Sequence, residues 1–227
     1  MQFIYDLLNI NTIFFTLLGY PMSYIEFFGT VFNIWCVYLA AKNRIATWPV
    51  GIVGIFCYAF LFYQIQLYSD LAEQIFFFFA SLYGWYIWLK IVRKKEAERQ
   101  DVLRATVKEK MIYAAIVVLG TMGMGYLMSN IHIYFPGFFP LPASFAYLDA
   151  FTTVLSFLAQ FIMAQKKIEC WYLWILVDII GICLYYIKGV KFIALEYAMF
   201  LVLATKGLLD WRVQLFATKK DIGGNYK

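Results

Sequence analysis

The 227-residue sequence predicts an all-α polytopic membrane protein, with seven transmembrane helices in a 3+1+3 arrangement of two parallel three-helix repeats. Three observations carry this expectation. The first is composition: 63% of residues are hydrophobic, 21% aromatic and only 15% charged, and mean hydropathy is +0.71. A soluble domain is roughly 45–50% apolar and about 25% charged, and no single core of this size could hide the excess. The second is the placement of charge. The third is a weak self-similarity at a spacing of 123 residues. At about 30 residues per span and loop, the length admits roughly six to eight helices.

Taken in chain order, residues 1–22 are apolar but interrupted by Asp6, Asn9 and Asn11, which predicts an N-terminal interfacial helix rather than an eighth span. No basic n-region precedes them, so a cleavable signal peptide is not expected. Spans are placed at 23–41, 48–66 and 68–89, forming the first repeat. A basic loop, 90–110, follows, then a linker helix at 111–130. Spans at 145–165, 171–188 and 191–212 form the second repeat, and 213–227 is a tail. The segment around Pro136, Pro140 and Pro142 separates linker helix and second repeat.

Lys and Arg are absent from 1–41, 45–89 and 111–165, while eight of the nineteen lie between Lys90 and Lys110. Alternating the loops puts sixteen basic residues on one side, against Lys188 and Lys191 on the other. By the positive-inside rule the N-terminus is outside and the C-terminus cytoplasmic. This pattern also makes a nucleic-acid partner unexpected, despite the net charge of +5. The four cysteines (Cys36, Cys57, Cys170, Cys183) are dispersed and His132 is the only histidine, so neither a metal nor a bound cofactor is expected.

Shifting the chain by 123 residues puts Glu26 on Asp149, Ala41 on Ala164, Trp48 on Trp171 and Tyr63 on Tyr186. It continues with Glu73 on Glu196, Phe77 on Phe200, Gly84 on Gly207 and Trp88 on Trp211. One helix lies between the units, so both enter the membrane from the same side. That is a transporter plan, with substrate near the midplane between the repeats.

Polar residues within spans are the candidate site, because an ionisable group there costs about 2.5–3.5 kcal/mol on insertion scales. Trp171, Trp174 and Asp178 share a face at i, i+3 and i+7; Glu196, Lys206 and Asp210 share another. Lys206 and Asp210, four apart, are also placed to pair with each other. Trp48 and Tyr58 lie on one stripe of the second span, Gln74 and Ser81 on one of the third, with Tyr83 beside them. Trp48, followed by Pro49, is equally accounted for as an interfacial aromatic at a helix start. Facing tryptophans suit a flat ring, best a cationic one, and amides and carboxylates suit sugar hydroxyls. Basic residues at membrane depth are too few to neutralise a phosphate.

These residues resemble the PnuC nicotinamide riboside transporters, relatives of the SWEET carriers. The likeness rests on Trp48-Pro49-Val50-Gly51, Gln64-Ile65-Gln66-Leu67-Tyr68, Tyr83-Gly84-Trp85-Tyr86-Ile87-Trp88, Trp171-Tyr172-Leu173-Trp174 and Leu195-Glu196-Tyr197, with Gln74 before the Phe-rich run. It implies a three-one-three helix order and uptake of nicotinamide riboside, a vitamin B3 form and NAD precursor, by facilitated diffusion. It further implies a homo-oligomer, with a trimer as the analogous state, embedded in the lipid bilayer. Polar positions that tend to be Asn in the family correspond here to Ser81, Asp178 and Lys206. The substrate-binding set is therefore Trp48, Tyr58, Gln74, Ser81, Tyr83, Trp171, Trp174, Asp178, Glu196 and Lys206, with no catalytic residues. A carrier for a related vitamin or nucleoside such as thiamine is the alternative, and a heptahelical membrane sensor a more distant one. An enzyme is not expected: no Walker-type phosphate loop is present, and one histidine with dispersed carboxylates makes no nucleophile or metal cluster.

Overall fold

The computed structural model describes residues 7–17, 19–64, 68–94, 102–137, 145–187 and 191–224. A short hairpin, β1 (Ile13–Leu17) with β2 (Tyr20–Ser23), precedes seven helices. These are α1 (Tyr24–Ala41), α2 (Thr47–Gln64), α3 (Tyr68–Lys94), α4 (Val107–Tyr134), α5 (Ala146–Ala164), α6 (Glu169–Ile187) and α7 (Lys191–Gly224). Among the described residues, six of them, all but α3, are long and apolar enough to cross a membrane. In α3, Asp70 and Glu73 lie in the first turns and Lys90, Arg93 and Lys94 in the last, around an uncharged stretch from Gln74 to Leu89. Segments 1–6 and 95–101, Pro140, Pro142 and Lys188 lie outside the described residues.

The helix expected across the first twenty residues is corrected over Ile13–Ser23. Ile13, Phe14, Phe15 and Thr16 are β-branched or aromatic, which favours a pleated strand. Gly19, at φ 83°, supplies the turn that folds β1 back on β2. β2 then runs directly into α1 through a capping box. The Ser23 hydroxyl accepts from the Glu26 amide, and the Glu26 carboxylate accepts from the Ser23 amide. Thr106 and Glu109 start α4 in the same way.

Two turns have the same hydrogen bonds 123 residues apart. After α1, Asn43 at φ 53° donates its N–H to the Ala40 carbonyl, and Arg44 donates to Leu39. After α5, Lys166 at φ 58° donates to Met163, and Lys167 to Ile162. This is the Schellman pattern that satisfies the last carbonyls of a helix. Each turn then winds into the next helix, by Trp48 N–H to Ile45 and by Trp171 N–H to Ile168.

Helix contacts form a closed circuit: α1 against α2, α2 against α3, α3 against α5, α5 against α6, α6 against α7, and α7 against α1. The linker α4 packs on α5. The most buried part of the circuit is at its basic-turn end. There Trp48 and Trp88 meet edge to face at 5.3 Å, and Trp171 and Trp211 do so at 5.6 Å. All four are at most 2% exposed. The rings of Trp48 and Trp171 lie where a side chain on Gly84 or Gly207 would stand, so only glycine admits them. Trp88 Nε1 reaches across to the Ala164 carbonyl and Trp211 Nε1 to the Ala40 carbonyl, each at 3.1 Å. At the centre Lys166 Nζ donates to Asn43 Oδ1 at 2.9 Å, over the Trp88 ring. The segment before α4 is fastened to this end as Leu103 exchanges backbone bonds with Lys166 and Ile168.

Candidate functional site

Away from the basic-turn end, the helix contacts become polar. Thr30 on α1, Tyr58 on α2 and Glu196 on α7 form one chain. The Tyr58 hydroxyl donates to both Glu196 carboxylate oxygens, at 2.6 and 2.7 Å, and lies 2.9 Å from the Thr30 hydroxyl. Between α3 and α5, Thr153 donates to Glu73 and Gln160 Nε2 donates to Ser81 Oγ at 3.4 Å. Thr30 and Thr153 are 123 residues apart, as are Glu73 and Glu196. The α3–α5 seam is thus bridged directly by Glu73 accepting from Thr153, and α1 is joined to α7 through Tyr58 of α2, which donates to Glu196.

The glutamates stand within long apolar helices because those bonds satisfy them; a carboxylate without partners at this depth is costly. Asp178 on α6 is the exception. It is 3% exposed, and its Oδ2 has no hydrogen-bond partner. One turn earlier on the same face stands Trp174, half-buried. One turn later, Gly181 receives the ring of Tyr197 from α7, which stacks on Tyr185 at 5.4 Å and 18°. Tyr197 is within electrostatic reach of Tyr185, Glu73, Asp178 and Glu196. The arrangement therefore gathers carboxylates, hydroxyls and aromatic rings from α2, α3, α5, α6 and α7, and suits a flat ring bearing hydroxyls.

The residues singled out from the sequence fall into three places. Tyr58, Glu196, Ser81 and Asp178 lie in or beside this polar zone, Trp174, a turn before Asp178, packs against the indole cluster, and Gln74, half-buried, follows Glu73 on α3. Trp48 and Trp171 are in the indole cluster at the basic-turn end, against Gly84 and Gly207. Tyr83 and Lys206 are on the outer surface. Tyr83, 41% exposed, stacks on Phe161 at 6.0 Å beside an apolar groove with Phe76, Phe79 and Ala80. Lys206 lies 5.6 Å from the Tyr38 ring. Asp210 pairs not with Lys206, four residues away, but with Lys42 beyond α1, at 2.9 Å. That neighbour holds the Lys42 ammonium above the ordinary lysine range.

Contributors outside the set predicted from the sequence include Thr30, Glu73, Thr153, Gln160, Tyr185 and Tyr197. The threonines carried a usable signal, their 123-residue spacing. Gln160 carried the same signal as Asp178, a polar side chain inside an apolar span. No group of three or more metal-ligating side chains occurs among the described residues.

Comparison with known proteins agrees with this picture. The chain is 28% identical over 216 residues to the nicotinamide riboside transporter PnuC of Escherichia coli (strain K12), covering 85% of this chain and 87% of that one. It is 25% identical over 201 residues to the PnuC of Neisseria mucosa, covering 84% and 73%. It is 24% identical over 202 residues to the riboflavin/roseoflavin transporter RibM of Streptomyces davaonensis, covering 89% and 91%. Its fold is similar to a crystal structure of the vitamin B3 transporter PnuC, with a TM-score of 0.66 over 86% of this chain and 83% of that one, at 24% identity. These relatives are transporters, and the present chain is a multi-pass membrane protein rather than an enzyme. The sequence model of the nicotinamide mononucleotide transporter family matches residues 23–213, and the chain belongs to that family.

Proposed function

We propose that this protein takes up nicotinamide riboside by facilitated diffusion, through a site in the polar zone of the helix circuit. The names of the curated relatives support the ligand. The observation that carries the reading is the buried Asp178 with Trp174 a turn away, in a zone of carboxylates and hydroxyls. Gln74, Ser81, Tyr58 and Glu196 are the further groups proposed to meet the ribose and the carboxamide. Trp48, Trp171, Tyr83 and Lys206 are proposed to act from outside this zone, by closing or bordering it.

The family takes its name from the mononucleotide, but the riboside fits these residues better. A phosphate dianion needs basic or N–H donors, and the zone is supplied with carboxylates. In the proposed plan, α1–α3 and α5–α7 are parallel three-helix repeats around α4, related by an axis along the membrane normal. The turn bonds and indole pairs at 123-residue spacing support it, as do Glu73 with Thr153 and Glu196 with Thr30, the first pair in direct contact and the second joined through Tyr58. The basic turns face the cytoplasm of a bacterial inner membrane, with the N-terminus outside, and the carrier assembles as a homo-oligomer.

The test is flux of labelled nicotinamide riboside into liposomes holding the purified full chain, without nucleotide. Equilibration above empty vesicles is expected, with nicotinamide mononucleotide competing poorly. Folded protein with no riboside flux overturns the reading. The likeness to RibM favours flat-ring vitamins as a second reading; riboflavin and thiamine as competitors in the same assay decide it.

A further inference from the structure

We propose that Asp178 is the charge-selecting residue of this carrier: its unpartnered carboxylate is the counter-ion for a permanently cationic aromatic ring, so the site takes an N-substituted pyridinium in preference to the same molecule uncharged. This rests on the carrier reading above and adds to it the criterion by which one ring is taken over another.

Three observations lead to it. First, Asp178 has bonding capacity that the protein does not use. The neighbouring acids are engaged, Glu73 by Thr153 and Glu196 by Tyr58. Asp178 is as buried as Glu196, both 3% exposed, yet its Oδ2 accepts no hydrogen bond. Buried polar groups without a partner are rare, and each calls for a cause such as a ligand. Second, basic side chains of the helix circuit are engaged elsewhere. Lys206 lies at Tyr38, Lys42 pairs with Asp210, and Lys166 bonds Asn43. Third, the surroundings suit a cationic ring. Trp174 stands one turn before Asp178, and Tyr197, stacked with Tyr185, stands one turn after it at Gly181. Aromatic faces attract a cation, and a carboxylate beside them supplies the charge that offsets its transfer from water. An uncharged ring gains the stacking alone and leaves the carboxylate uncompensated.

A different role for the same side chain, as a plain hydrogen-bonding group for the carboxamide, makes a different prediction, because asparagine would serve as well. The measurement is therefore a ratio. Purified full-length protein in liposomes is assayed for flux of nicotinamide riboside and of its dihydro form, which has almost the same shape and no ring charge. Wild type is expected to favour the cation about tenfold or more, the scale of one charge-assisted contact. Asp178→Asn is expected to remove most of that preference by slowing the cation far more than the dihydro form; Asp178→Glu restores part of it. Unfolding in detergent, compared with wild type, reports that each variant is folded.

A retained preference in Asp178→Asn, or a parallel loss of both fluxes, overturns the proposal. If the variant does not fold, competition on wild type decides instead. 1-Methylnicotinamide, a pyridinium methylated on the ring nitrogen, should inhibit riboside flux far better than neutral nicotinamide, and equal inhibition overturns the proposal. Wild-type protein that moves neither form overturns the carrier reading itself, an outcome distinct from a carrier that ignores ring charge.

Discussion

At the basic-turn end of the helix circuit, four indoles at most 2% exposed fill the space against two glycines, and two of them reach backbone carbonyls across the circuit. Toward the other end, the same helices meet through Glu196, Tyr58 and Thr30 on one seam and through Glu73 and Thr153 on the other. The two regions hold the circuit by different means. Indole against glycine is a shape fit over a large area, and in a bilayer such packing is a main source of helix association. A hydroxyl on a carboxylate is small in area and exchangeable, since a ligand hydroxyl can replace it one for one. The first kind of contact resists parting, and the second tolerates it.

This contrast can be broken by experiment. The largest effect is expected for Trp211→Ala, which empties a buried indole site and frees the Ala40 carbonyl: a loss of about 3 kcal/mol or more, read by unfolding in detergent. Tyr58→Phe, in the polar region, should cost less than about 1 kcal/mol. Equal losses would abolish the distinction. Next is Gly84→Val, which drives a side chain into the Trp48 ring and should cost about 1–3 kcal/mol. Gly123→Val is its control, since nothing lies within 4 Å of a side chain added there, and its melting temperature should stay put. Glu196→Gln keeps an acceptor for Tyr58, so stability should change by less than about 1 kcal/mol. Riboside flux should nonetheless fall several-fold; full flux would remove Glu196 from the site. The smallest effect is expected for Asp210→Asn, which dissolves an exposed pair with Lys42. No shift in melting temperature should be resolved at physiological salt.

The helices were legible in the sequence because apolar length and basic turns are local properties. Six of the expected spans coincide with helices that meet the criteria for crossing a membrane, and the seventh with α3. The hairpin was not legible: Asp6, Asn9 and Asn11 spoke only against a span, and the pairing of Ile13–Leu17 with Tyr20–Ser23 depends on one glycine turn. At the site, Asp178 stood out because a charge in an apolar run needs no partner to be noticed. Its neighbours Thr153 and Gln160 did not, because their importance lies in Glu73 and Ser81 across a seam, some eighty residues away. Tryptophan is ambiguous in sequence for a related reason. A Trp on a polar stripe suits a ligand slot and a glycine notch equally, and Trp48 and Trp171 are matched to notches on α3 and α7 that no local window contains. Lys206 and Asp210 had the spacing of a helical pair, but the end of α1 brings Lys42 to Asp210 instead.

Asn43 and Lys166 occupy the same position of two identical turns, and they touch. Under the proposed repeat, a residue that touches its own counterpart lies at the symmetry axis. Identity there is tested against itself: two lysines in this place would repel at 2.9 Å. Two tryptophans have no such quarrel, and Trp88 meets Trp211 with the same residue in both copies, at 6.4 Å. Under the proposed repeat, a charged pair at the axis has to become two different residues, whereas an aromatic pair does not. The amide and the ammonium at Asn43 and Lys166 are such a pair.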